Sequence, residues 1–157
     1  MKIIVLEGKD GTGKTSTLKK VIGKLIANKA TLATPSINKY GNKTNSVISS
    51  FFAPGDVTFE LDYKKKKIGI TTFGDDSKSI SGKINMFTND NCECIVCACH
   101  PTGTSKTCVD DYVKASGATL ITVYKVGCKT DYKIDSKFAN LCDFSDDIAA
   151  NEIISHI

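Results

Sequence analysis

Lys2-Ile3-Ile4-Val5-Leu6-Glu7-Gly8-Lys9-Asp10-Gly11-Thr12-Gly13-Lys14-Thr15 opens the chain with an apolar run, a glycine loop and a Lys-Thr pair. Gly8, Gly13, Lys14 and Thr15 occupy every constrained position of the phosphate-loop (P-loop, or Walker A) spacing G-x-x-x-x-G-K-[ST]. Ile3-Ile4-Val5-Leu6 has the continuous apolar character of a buried parallel strand, predicted over residues 2–7. Behind the loop, Leu18, Val21, Ile22, Leu25 and Ile26 recur on one helical face, which predicts a helix over residues 14–28. The order matters chemically. Glycines let backbone N–H groups come close to phosphate oxygens, and the positive end of the helix dipole points at the same place. Gly8, Lys9, Asp10, Gly11, Thr12, Gly13, Lys14, Thr15 and Ser16 are therefore the expected nucleotide-binding residues. Lys14 would reach the β/γ-phosphates, and the Thr15 hydroxyl would ligate Mg²⁺.

A chain of 157 residues, 41% hydrophobic and 24% charged, has the size and balance of one globular domain, 1–157. No apolar run approaches the length of a membrane span. Four apolar residues after Met1-Lys2 are too few for a signal peptide. Seven cysteines without a secretion signal predict thiols in a reducing, cytoplasmic setting. The net charge of +4 comes entirely from lysine, because the chain contains no arginine. Phosphoryl-transfer sites commonly use arginine to carry transition-state charge. Here lysine has to do that work, or a partner has to bring the arginine.

Along the chain, residues 31–55 are rich in Ser, Thr, Asn and Gly and read as a long irregular segment with a short helix near Val47–Phe52. Val57–Tyr63 and Lys67–Phe73 read as an antiparallel hairpin, with the lysines at 64–67 as its hydrated turn. A helix is expected near Ser79–Thr88, a buried strand at Cys94–Cys99, and a helix at Thr104–Ser116 closed by Gly117. Leu120–Val126 reads as a further strand, with helical stretches near Ser136–Cys142 and Asp146–His156. Alternation of this kind predicts an α/β fold, a three-layer P-loop NTPase sandwich with a mainly parallel sheet and one antiparallel hairpin. Ligands of such sheets sit at the C-terminal strand ends.

Asp75, with Asp76 second, is the candidate metal carboxylate after the hairpin, at a strand expected beside the P-loop. A solvated Gly-Asp turn is the competing reading. In the loop His100-Pro101-Thr102-Gly103-Thr104-Ser105-Lys106-Thr107, Lys106 could supply the missing cation and His100 could polarise a phosphate, while Thr104 or Ser105 caps the next helix. Cys92, Cys94, Cys97 and Cys99 do not make a zinc site in a regular strand. Its alternation sends Cys92 and Cys94 to one face and Cys97 and Cys99 to the other. The lysine run lacks the interleaved aromatics of a nucleic-acid surface.

Glu7-Gly8-Lys9-Asp10-Gly11-Thr12-Gly13-Lys14-Thr15-Ser16-Thr17 resembles the first motif of thymidylate and related nucleotide kinases. That resemblance implies that Asp10 approaches the phosphoryl acceptor. The order of elements is similar to that of small GTPases, and Val126-Gly127-Cys128-Lys129-Thr130-Asp131 resembles their guanine-reading segment, with Cys128 in place of asparagine. Ile70-Thr71-Thr72-Phe73-Gly74-Asp75-Asp76 and Cys97-Ala98-Cys99-His100-Pro101-Thr102-Gly103-Thr104 look like small P-loop ATPases of uncharacterised function. The expectation is a Mg²⁺-dependent NTP-binding protein, an ATP-dependent kinase acting on a small-molecule or nucleotide acceptor. Lys14, Asp10, Asp75 and Lys106 are its candidate catalytic residues, and Thr15 and Asp75 its metal residues. GTP is the alternative nucleotide. An NTPase switch or assembly protein acting through a protein partner is the alternative function. Neither nucleic acid nor a membrane is the expected partner.

Overall fold

Strand β1 (Lys2–Glu7) is central because both of its faces are covered. Ile3 and Val5 are fully buried in one core, Ile4 and Leu6 in another. The computed structural model describes residues 1–33, 36–38, 43–44, 55–125 and 136–157, with the backbone alone at 36–38, 43–44 and 136–140. After β1 come helix α1 (Lys14–Ala27) and the short strands β2 (Thr31–Leu32), β3 (Ser36–Asn38) and β4 (Lys43–Thr44). The hairpin β5 (Val57–Tyr63) and β6 (Lys66–Thr71) leads to helix α2 (Ser77–Asn89). Strand β7 (Cys94–Cys99), helix α3 (Thr104–Ser116), strand β8 (Thr119–Tyr124) and helix α4 (Ser136–His156) complete the order.

The eight strands form one mixed sheet in the order β4-β3-β5-β6-β7-β1-β8, with β2 pairing β5 off that path. β6, β7, β1 and β8 run parallel; from β5 outward the pairing is antiparallel. Helices cover both faces, which gives three layers. Leu18, Val21, Ile22 and Leu25 of α1 pack with Ala149, Ala150 and Ile153 of α4 over Ile4, Leu6, Val96 and Val123. On the opposite face, Ile80, Ile84 and Phe87 of α2 and Val109 of α3 cover Ile3, Val5, Ile95 and Cys97. Each large aliphatic or aromatic side chain buried in this way contributes about 1.5–3 kcal/mol. Among the described residues, no helix is long and apolar enough to cross a membrane.

Three expectations need correction. The segment read as irregular carries β2, β3 and β4, so the antiparallel part of the sheet exceeds one hairpin. These strands are only two or three residues long and exist by pairing to a neighbour, which no local pattern announces. The two helical stretches at the C-terminus are one helix, since Asp143-Phe144-Ser145 contains neither glycine nor proline and the backbone continues through it. Finally, the strand that precedes Asp75 is not beside β1, because β7 lies between them. The reading of a helix at Val47–Phe52 and of residues 126–131 falls outside the described residues.

Candidate functional site

The loop after β1 is anchored from both sides. Gly8 N donates to Cys99 O of β7 (3.2 Å), and Lys125 N donates to Glu7 O (2.7 Å) from the end of β8. Thr12 closes the turn on itself, its hydroxyl donating to Lys9 O at 2.8 Å. Gly11 and Gly13 have φ of 70° and 85°, a region that side chains disfavour. A Cβ on Gly13 would also lie 3.1 Å from Asp146 Oδ1. Gly13 is the N-cap of α1, no side chain caps that end, and its first turn holds no acid. The Lys14 ammonium folds back across the loop and donates to Gly8 O (2.8 Å) and Lys9 O (3.0 Å). An uncapped helix N-terminus and a lysine ammonium thus converge on one small region.

Beneath the loop is a buried ion pair. Lys125 Nζ stands 2.7 Å from Asp146 Oδ1, with side-chain exposures of 2% and 11%. Thr17 Oγ1 donates to the same carboxylate at 3.0 Å, and Lys125 also donates to Ser145 Oγ at 2.7 Å. This network ties the end of β8 and the middle of α4 to the first turn of α1.

The carboxylate that reaches Thr15 is Asp56. Thr15 Oγ1 lies 3.4 Å from Asp56 Oδ1, and Thr72 Oγ1 donates to that oxygen at 2.9 Å. Asp56 precedes β5, which runs antiparallel to β6, so its start lies at the same end of the sheet as the ends of β6 and β7. A hairpin read in the sequence already carries that implication, and Gly55-Asp56 is the signal that was missed.

Asp75 instead faces His100, with Oδ1 3.7 Å from Nε2; Asp10 Oδ1 is 3.3 Å from the same nitrogen. Asp76 is the N-cap of α2, accepting from Ser79 N at 2.8 Å and Ser79 Oγ at 2.7 Å, and those bonds hold its pKa below the ordinary value. Lys106 projects from α3 to Glu7 (3.2 Å) and Asp110 (2.6 Å). Burial draws its pKa down, but the Asp110 hydrogen bond and the charges of Glu7 and Asp110 outweigh that and raise it overall. Glu7 Oε1 is buried beside the Lys106 ammonium, 3.2 Å away, which balances its charge.

No protein-family model, curated protein or solved structure gives a significant match to this chain. The site therefore has to be read from its own chemistry. The expected cap of α3 by Thr104 or Ser105 is replaced by Gly103, with no side-chain bond, while Ser105 Oγ accepts from His100 N at 3.4 Å. Cys92 precedes β7, outside its alternation, and lies in the same core as Cys97 and Cys99; Cys94 lies in the other core. Burial pushes the thiols up, to about 12 for Cys92 and Cys99, about 11 for Cys94, and higher for Cys97. The six described cysteines form no disulfide with one another. Lysines 64 and 65 form the hairpin turn.

Proposed function

We propose that the chain binds a nucleoside triphosphate, ATP in the first instance, on residues Gly8 to Ser16 and transfers its terminal phosphoryl group to a small-molecule or nucleotide acceptor. In this reading the fold is a P-loop NTPase sandwich. The observation that carries it is the Lys14 ammonium held across the loop by Gly8 O and Lys9 O, at an α1 N-terminus with neither a side-chain cap nor an acid. Those two carbonyl bonds are exchangeable for phosphate oxygens, which are stronger acceptors for an ammonium.

The residues present fit Mg²⁺. Thr15 and Asp56 offer two hard oxygen donors, the set this ion takes from protein beside water and phosphate. Bound there, Mg²⁺ would neutralise charge on the phosphates. Lys106 would serve as the cation that arginine provides in other phosphoryl-transfer sites. Glu7 and Asp110 hold it at the mouth of β1. Asp10 would face the acceptor.

A nucleotide-dependent switch acting through a protein partner is the second reading, supported by the absence of any arginine in the chain. The two are separated by turnover. Multiple turnover that depends on one added acceptor supports the kinase, whereas hydrolysis stimulated by a protein supports the switch. The common core is tested by Lys14→Ala, which should weaken Mg-ATP binding by tenfold or more, at least about 1.4 kcal/mol, in isothermal titration. Undiminished affinity in the folded variant would remove the proposal.

A further inference from the structure

We infer that Asp10, Asp75 and His100 form a three-ligand site for a divalent cation of the zinc class, separate from the Thr15–Asp56 pair. The inference does not depend on nucleotide binding. It starts from topology. β7 lies between β1 and β6, so His100, one residue past β7, has on one side the loop that follows β1 and on the other the segment that follows β6. Asp10 comes from the first and Asp75 from the second. Their oxygens and the imidazole nitrogen all lie within 4.8 Å of one another.

Two features separate this cluster from ordinary surface ion pairs. Both carboxylates converge on the same atom, His100 Nε2, at 3.3 and 3.7 Å. That nitrogen carries at most one hydrogen, so it can donate to only one of them. A cation among the three satisfies both carboxylates and the imidazole lone pair together. Donors at roughly 2.0–2.1 Å from a tetrahedral centre stand about 3.3–3.4 Å apart; the Asp10 contact already has that spacing, and Asp75, at 3.7 Å and on an exposed side chain, has to close in slightly to join it.

The positions are set by the backbone. A Cβ on Gly74 would lie 2.2 Å from Ala98 O, so the chain just before Asp75 rests directly on the strand that presents His100. His100 is fixed further by its N–H bond to Ser105 Oγ. Its ring is 22% exposed, while Asp10 and Asp75 reach in from the surface. A cavity of about 370 Å³, lined by Lys9, Asp10, His100, Pro101 and Thr102, opens beside two of the three, Asp10 and His100, and has room for water or an exchangeable ligand.

The donor set chooses the ion. Imidazole favours Zn²⁺, Co²⁺ and their neighbours over Mg²⁺ or Ca²⁺, and the carboxylates supply compensating charge. Three protein ligands with an open fourth position describe an accessible, exchanging ion.

The test is Co²⁺ titration of untagged, chelator-treated protein without nucleotide, followed by visible absorption. One equivalent should give the d–d bands of a four- or five-coordinate ion, displaced by Zn²⁺ and insensitive to excess Mg²⁺. His100→Gln should weaken binding by more than the roughly 10–100-fold cost of an outer-shell change. Asp75→Asn, at an exposed position, should weaken it by at least tenfold with the fold intact by circular dichroism. Three results would overturn the site. These are the pale spectrum of hydrated Co²⁺ at saturation, unchanged affinity in either variant, and a near-ultraviolet thiolate-to-cobalt band showing that cysteines hold the ion. Loss of ATP binding alone would leave the site standing.

Discussion

Asp56 Oδ1 stands between two hydroxyls, Thr15 at 3.4 Å and Thr72 at 2.9 Å, and only the first belongs to the first turn of α1 behind the glycine loop. If this carboxylate supports Mg²⁺, Asp56→Ala should raise the half-saturating Mg²⁺ concentration for ATP binding about tenfold, near 1.4 kcal/mol. Metal-free nucleotide affinity should change little. Titrations at stepped Mg²⁺ check this, and parallel weakening with and without the metal would assign Asp56 a structural role only. Asp146 makes a different demand, because it neutralises a lysine that is almost wholly buried. Asp146→Ala leaves the Lys125 charge uncompensated and should cost about 3–5 kcal/mol in urea unfolding. A joint Lys125→Met, Asp146→Leu variant should recover most of that. Gly8, Gly13, Lys14 and Thr15 were legible because their spacing is local. Asp56 and Asp146 were not, since each meets its partner across a long sequence separation, 41 residues from Thr15 and 129 from Thr17.

The hairpin turn is an element that works against its own sequence. Tyr63 pairs with Lys66, leaving Lys64 and Lys65 as a two-residue turn with φ of 49° and 64°. Both positive angles are the type I′ geometry, which Asn-Gly adopts without strain and two lysines do not. Lys64→Asn with Lys65→Gly should stabilise the fold by about 1 kcal/mol, read as a higher urea midpoint with an unchanged slope. An unchanged or lower midpoint would mean that the lysine side chains contribute more than the turn strain costs. Lys64 Nζ does lie 4.9 Å from the Tyr63 ring centre. Elements with an internal signal were legible at their ends: the apolar block Cys94–Cys99, and α3 running to Gly117 in the left-handed conformation. Elements defined by a neighbour were not. β2 to β4 borrow their pairing; α4 runs on through Asp143-Phe144-Ser145, where Lys20 of α1 pairs with Asp143 and Lys24 with Asp147.

Four buried thiols lie in or just ahead of one strand, and their titration belongs to the whole molecule. Cys92, Cys94, Cys97 and Cys99 are each less than 5% exposed. Burial raises all four from the ordinary 9.0, to about 12, about 11, higher still, and about 12 respectively. The unfolded chain therefore releases these protons first as pH rises. Below about pH 9 both states keep them, and the full stability is present. Above it, each thiol removes about 1.4 kcal/mol per pH unit until its folded pKa is reached. Lys106, raised overall by Asp110 and Glu7 against its burial, adds to the same loss above 10.5. The acid side is gentler. Asp76 is held low by its Ser79 bonds and Asp147 chiefly by its Lys24 bond, so their contribution is present above the ordinary 3.8 and fades only below it. The urea midpoint, measured under reductant, should thus be steady from about pH 5 to pH 8 and fall steeply beyond 9. In a Cys94→Ala, Cys99→Ala variant the neutral-pH midpoint should drop from lost packing, while the alkaline slope should shrink, the remainder coming from Cys92, Cys97, Cys108 and the raised lysines. An alkaline slope that the double variant leaves unchanged would place the titrating groups elsewhere.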